Sequence, residues 1–361
     1  MTLNSPHLHH VDYLIVGQGL AGSVLAWELS RRNCKILVID NGLTNASQIA
    51  AGLINPVSGM RLAINPDIEF LLPAAKKYYQ KLANFFNQEF LVEKPMLRLL
   101  RNQQELQYCK KRLADPNYHS YLSGLKVKFK HQNLQTAYGI LQQKQTYFLQ
   151  TKPLLTEIKN YLQLTRQYLN ADFNYSDLKL QANSIQWQNI EATRIIFCEG
   201  YQAQNNPWFS WLPFNLAKGE ILTLTSQHCS PEYIINYGFW LIPTNTKIFR
   251  SGATFDRENI DTKTTNQAKN TILQAIHQYA PDFSPCTVIN HQAHIRPATI
   301  DRQPLLGHPP DQPLICIFNG FGSKGSLLIP WYACHFADYL VNSSTFPDHA
   351  NISRHCKKYF C

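Results

Sequence analysis

The sequence predicts an α/β protein: a parallel sheet covered on both faces, with a β-rich, mainly antiparallel domain inserted into it. Three observations carry this. Val11–Asp40 reads as strand, glycine turn, helix, strand. Leu314–Val341 reads as strand, glycine turn, helix. Between Lys218 and Gly252 the signals are β throughout.

Val11–Val16 is mostly apolar and ends at Gly17, and from Leu20 the apolar residues Ala21, Val24, Leu25 and Leu29 recur at helical spacing. Lys35–Ile39 is a second apolar run that stops at Asp40. Strands apolar along their whole length belong to parallel sheets with helices on both faces. A loop rich in small residues follows, then an amphipathic helix over Ile68–Phe86, expected to be interrupted near Pro73. Residues 95–150 alternate short strands with a polar helix near Asn102–Leu113, and Thr151–Leu164 opens with Thr-Lys-Pro, a helix start. Arg194–Gly200 is a buried strand stopped by glycine. Lys218–Leu224, Phe239–Pro243 and Lys247–Gly252 are strands of a second sheet, and Thr265–Tyr279 is a helix. Leu314–Asn319 and Ser326–Val341 form the last strand and helix. The expected division is 1–90, 151–213 and 290–361 for the first domain, and 91–150 and 214–289 for the inserted one.

Composition narrows the class. The chain has 361 residues, 44% hydrophobic and 16% charged, enough for a sizeable core and two domains. No apolar run is long enough to span a membrane, and MTLNSPHLHH lacks the pattern of a signal peptide. The nine cysteines form no CxxC pair, so free thiols in a reducing cytoplasm are expected and a zinc site is not. No GxSxG elbow supports hydrolysis. The net charge of +10 fits an anionic partner such as nucleic acid, an anionic cofactor, or a solvated basic surface. The basic residues read as spread out, with Lys126–His131 one of the denser clusters.

Gly17-x-Gly19-x-x-Gly22 lies between strand and helix, where a dinucleotide fingerprint belongs. Gly17 permits the tight turn, Gly19 lets a pyrophosphate approach the backbone, and Gly22 allows close helix–strand packing. The N–H groups of Leu20 and Ala21 lie at the helix start, where the dipole favours phosphate. Asp40, with Asn41 beside it, stands 23 residues after Gly17, where a carboxylate accepts ribose hydroxyls.

Beyond the fingerprint, the chain resembles the D-amino-acid oxidase/glycine oxidase family of flavoproteins. The matching segments are VGQGLAGSVLAWEL, SQIAAG (Ser47–Gly52), IIFCEG, KGEIL, WLIP, SGATFDREN, IRPATIDRQPLLG and NGFGSKGSLLIP. The resemblance implies a glutathione-reductase-like FAD domain, a substrate domain, and an oxidoreductase acting on the C–N bond of an amine or amino acid by hydride transfer to flavin N5. It implies noncovalent FAD, because Ile49 occupies the position where sarcosine-dehydrogenase-like members carry the attachment histidine. Cofactor contacts are expected from Ser47, Gln48, Ala51, Gly52 and Gly200, and from Gly320, Gly322, Ser323, Lys324 and Gly325 in the last glycine turn. Arg296 matches the arginine that holds the substrate carboxylate. Trp240 stands where members often have tyrosine, and Arg250 near an oxygen-activating lysine of sarcosine-oxidase-like members. No acid or base beyond the flavin is required, and O2 or another acceptor reoxidises it. FGSKGSLLIP and GATFDRENIDTKTT are most similar to the oxidase half of the bifunctional tRNA 5-methylaminomethyl-2-thiouridine biosynthesis enzymes. A small amine substrate, a tRNA wobble uridine, and a non-catalytic flavin-binding role are thus the three readings.

Overall fold

The computed structural model describes residues 8–127, 133–226, 232–245 and 247–356. Cys229, Cys361 and residues 128–131 of the basic cluster lie outside them. The chain divides into two compact units, one of residues 1–48, 151–216 and 296–361, the other of residues 49–150 and 217–295. The first break thus falls at 48/49 rather than at 90. Leu53–Ile54 pairs with Tyr147–Leu149, and that strand with Leu91–Glu93, which places residues 49–90 in the second unit.

In the first unit, β1 (His9–Val16) lies between β2 (Ile36–Asp40) and the strand Ile190–Phe197, parallel to both. Tyr168–Asn170 extends the sheet beyond β2, and Ile315–Asn319 pairs with the other side of Ile190–Phe197. An antiparallel arm, Leu178–Leu180 and Ile185–Trp187, and the strand Leu305–Gly307 complete eight strands. The last four residues of β1 and the first four of β2 are buried, as continuous apolar runs in a parallel sheet require. Helix α1 (Leu20–Arg31) packs on the last helix, Gly325–Asn342. Arg32 reaches Asp338 at 2.8 Å, and the Tyr13 hydroxyl donates to the Leu340 carbonyl at 2.8 Å. The core beneath the sheet is aromatic: Phe173 stacks on Trp187 and Phe197 on Trp208, with ring centroids 5.2 and 5.8 Å apart.

The second unit is built on an eight-stranded, mainly antiparallel sheet. Its order is Thr287–Arg296, Ala217–Thr225, Ile248–Gly252, Trp240–Pro243, Ile234–Asn236, Met96–Leu99, Ile140–Gln143 and Leu122–Lys126. Alternation sorts its two faces. Leu97, Leu99, Ile140, Leu222, Leu224, Ile235, Leu241 and Phe249 join Ile272 and Ile276 of the helix Asn266–Tyr279 in one core cluster. Met96, Phe148, Ile234 and Ile242 form a second cluster. The expected break at Pro73 is absent, since Ile68–Phe86 is one continuous helix. Pro73 stands six residues in and removes a single intrahelical bond, while Ile68, Leu71, Leu72, Ala75, Tyr79 and Leu82 hold the helix by burial. No described helix is long and apolar enough to cross a membrane.

Candidate functional site

The glycine turn after β1 is built by steric exclusion. A Cβ on Gly22 would lie 1.9 Å from the Gly17 carbonyl oxygen, and one on Gly17 would lie 2.7 Å from the Cys198 oxygen. Gly17 also holds φ +102°, a conformation glycine adopts freely. Gly19 is the N-cap of α1 in extended conformation. No side chain caps the helix there, and its first turn carries no acidic residue. The dipole at this helix start therefore favours an anion before Gly19. The Ser47 hydroxyl accepts from the Leu20 N–H at 2.9 Å, and Asn45 in turn holds the Ser47 N–H at 3.1 Å.

Asp40 ends β2 as expected. Its Oδ2 accepts from the Gln18 N–H and its Oδ1 from the Gly42 N–H, each at 2.8 Å. Each carboxylate oxygen keeps a lone pair for a further donor. Gln18 is an anchor the sequence did not reveal. It is 2% exposed, and its Nε2 donates to the Ser23 hydroxyl at 2.9 Å and to the Leu155 carbonyl at 3.0 Å, tying the turn to two helices. Asn41 donates to Asp172 at 3.0 Å on the surface, and the Gln48 N–H to the Asn45 side chain at 3.2 Å.

A second set of glycines lies in the same unit. Gly200 follows the strand Ile190–Phe197 with φ +60° and open space where a Cβ would be. Its carbonyl accepts from Asn319 Nδ2 at 2.8 Å, and Asn319 Oδ1 accepts from the Gly320 N–H at 2.8 Å. Asn319, 2% exposed, thus fixes both turns at once, another role without a sequence signal. Gly320 and Gly322 both have positive φ, and Gly325 opens the last helix behind exposed Ser323 and Lys324. Desolvation by the surrounding protein and the nearby Arg302 charge lower the Lys324 pKa, although the residue reaches the surface. Two cations therefore meet a helix N-terminus, a combination that favours negative charge in front of it.

Next to Gly200, Glu199 accepts from the Tyr175 hydroxyl at 2.6 Å and from Asn206 Nδ2 at 2.9 Å. Burial nevertheless raises its carboxyl to about 7. Arg296 ends the strand Thr287–Arg296, and burial lowers its pKa. Asp301 is held by Arg354 at 2.9 Å. In the second unit, Trp240 is half-buried against the cluster of Met96, Phe148, Ile234 and Ile242, with Ala51 beside it. Gly52 is required by close approach, since a Cβ there would lie 2.0 Å from the Leu149 oxygen. Arg250 donates through Nη1 to the Ala50 carbonyl at 3.0 Å and through Nη2 to the Ile49 carbonyl. Burial brings its pKa down to about 10. The arginine thus positions the segment before Gly52.

A parallel sheet, an uncapped helix behind G-x-G-x-x-G, and an acid closing the second strand define a dinucleotide-binding protein of the Rossmann type. The particular family follows from comparison: the chain belongs to the FAD dependent oxidoreductase family, whose model matches residues 12–157 and 172–339. The first unit fits that cofactor. Gly19 puts no side chain of its own at the helix terminus, where the dipole suits a pyrophosphate, and Asp40 has acceptor capacity left for a ribose. Glycine oxidase from Geobacillus kaustophilus shares the fold, with a TM-score of 0.81 at 18% identity over 96% of this chain and 99% of that one. Iminodiacetate oxidase from Chelativorans sp. BNC1 does so at 0.77 and 20%, over 93% and 97%. The tRNA 5-methylaminomethyl-2-thiouridine biosynthesis bifunctional protein of Marinobacter nauticus is 22% identical over 368 residues, 93% of this chain and 56% of that protein. The chain spans about half the length of the curated relatives it matches.

Proposed function

We propose that this FAD-dependent oxidoreductase oxidises the C–N bond of an amine that carries a carboxylate, and that its first unit holds FAD noncovalently. The observation that carries the reading is Arg296, a guanidinium whose pKa burial lowers, at the end of a strand of the fold shared with amine-oxidising proteins. A desolvated guanidinium is stabilised by a carboxylate in a two-pronged pair, which fixes the carbon next to the nitrogen. Bound FAD supplies the two-electron acceptor for the C–H bond beside that nitrogen. Lys324, Arg302 and the last helix start stabilise negative charge at their end of the cofactor site.

A second reading is that the amine is the carboxymethylaminomethyl group of a tRNA wobble uridine. It is supported by the name of the Marinobacter nauticus relative and by the positive charge of this chain. That group is itself a secondary amine bearing a carboxylate, so Arg296 serves both readings. Anaerobic bleaching of the flavin by glycine, sarcosine, iminodiacetate, D-alanine, proline and bulk tRNA tests them. Arg296→Ala should keep FAD and raise KM by roughly 30-fold to several thousand-fold, the equivalent of about 2–5 kcal/mol. Arg296→Lys should recover only part, because an ammonium does not fork. Wild-type kinetics in Arg296→Ala would remove the anchor.

A further inference from the structure

The positive charge is not evenly spread. Residues 94–144 contain ten Lys/Arg and two Asp/Glu, so eight of the ten net charges arise in 51 residues. Both acids are engaged within the fold. Glu105 is buried and pairs with Arg98 at 3.5 Å and Arg101 at 2.7 Å, and Asp115 accepts from the Asn117 N–H at 3.1 Å. Of the remaining described cations of the second unit, Lys110, Lys111, Lys126 and Lys144 are exposed, Arg112 is half-buried, and Lys94 is half-buried and donates to the Glu232 carbonyl at 3.1 Å.

These residues come from separate segments that the fold joins. Arg112 donates to the Arg61 carbonyl at 3.4 Å and lies over the Tyr118 ring at 5.0 Å, while Lys144 donates to the His119 carbonyl at 2.8 Å. Lys126 ends the edge strand Leu122–Lys126 opposite Ile140, and Lys144 follows Gln143 at the other end of the same antiparallel pair, so the two cations bracket this edge. Lys110, Lys111 and Arg112 close the helix Gln103–Leu113, where cations ease the dipole. That ordinary role does not extend to Lys126, Lys144 or Arg61. Several cations from separate segments, with Glu105 buried beneath them, form a surface suited to a phosphate backbone.

We infer that this face, Arg61, Lys110, Lys111, Arg112, Lys126 and Lys144, docks the phosphate backbone of a structured RNA. The inference rests on the tRNA reading and adds to it the surface that holds the RNA body. Lysines scattered over a surface act as point charges, so the contact is with backbone rather than with particular bases.

The test uses the full FAD-loaded chain and bulk tRNA, with fluorescence anisotropy between about 50 and 200 mM salt. The quadruple variant Lys110→Ala, Lys111→Ala, Lys126→Ala, Lys144→Ala should bind tRNA at least about tenfold more weakly. Its salt slope should be shallower by roughly 3, since each phosphate contact contributes about 0.7–0.9. A control of equal charge, Lys35→Ala, Lys152→Ala, Lys179→Ala, Lys263→Ala, takes away four cations from elsewhere and should bind like wild type. Flavin bleaching by small amino acids should be unchanged in both. Equal loss in both variants would mean that net charge alone binds RNA and would overturn the surface. So would wild-type affinity in the first variant, or binding of anionic phosphatidylserine vesicles by a wild-type protein that does not bind tRNA. In each case amine-driven bleaching continues to report on the oxidoreductase reading by itself.

Discussion

Replacing Glu199 by glutamine should make the protein more stable above neutral pH. In the wild type this carboxyl is raised from 4.5 to about 7, with burial the main cause and the Tyr175 and Asn206 hydrogen bonds opposing it. Between those values the folded protein keeps a proton that the unfolded chain has already released. Stability from this group is therefore complete below about pH 4.5 and is lost as pH rises through about 7. The gap corresponds to roughly 3 kcal/mol at most, and partial exposure of the residue brings the expected value to about 1–3 kcal/mol. Glutamine keeps the shape and has no charge to bury. Its carbonyl can accept from Asn206 and its amide can donate to the Tyr175 hydroxyl, so both bonds persist. Urea unfolding of both proteins at saturating FAD, at pH 4.5, 6 and 8, gives the double difference in which other groups cancel. The variant should match wild type at pH 4.5 and exceed it at pH 8. A difference independent of pH, or a variant less stable at pH 8, would show that the carboxylate is not held against its ionisation.

Gly22→Ala brings a Cβ to 1.9 Å from the Gly17 oxygen, so the turn must open. The purified variant should lack flavin absorbance and take up none on titration. Asp40→Ala takes away the acceptor held ready for a ribose and releases the Gln18 and Gly42 N–H groups. By isothermal titration its FAD Kd should rise about 10- to 150-fold, as expected for losing a bond to a charged group. Phe249→Ala empties a fully buried site in the second unit, where the ring meets Phe283 at 5.8 Å. It should lower unfolding free energy by about 3–5 kcal/mol in urea.

The parts legible in the sequence are those where one physical requirement dominates. The last four residues of β1, the first four of β2 and Ile315–Phe318 are buried and therefore read as apolar runs. The glycines at 17 and 22 answer a steric need that no other residue meets. Elements with mixed demands were not legible. Thr287–Arg296 is half-solvated and polar, so TVINHQAHIR shows no strand signal, and the arm Leu178–Trp187 is short with polar residues between. Gln18, Asn319 and Glu199 act through partners far away in the chain, such as Leu155, Gly200 and Tyr175, and no local pattern encodes those meetings. The break at 48/49 follows from the pairing of Leu53–Ile54 with Tyr147–Leu149, which composition does not show.

The position of β1 has a consequence for biosynthesis. It is flanked on one side by Ile190–Phe197, and its helix is clasped through Arg32 to Gly325–Asn342, both of which are translated well after it. A ribosome translating this chain therefore exposes the glycine turn long before its supports exist. The second unit, 49–150 and 217–295, can gather its sheet while the ends of the first are still apart. Contacts of such sequence separation form slowly. A nascent chain stalled before residue 315 then carries the fingerprint without the strand Ile315–Asn319 and the helix Gly325–Asn342 that pack about it.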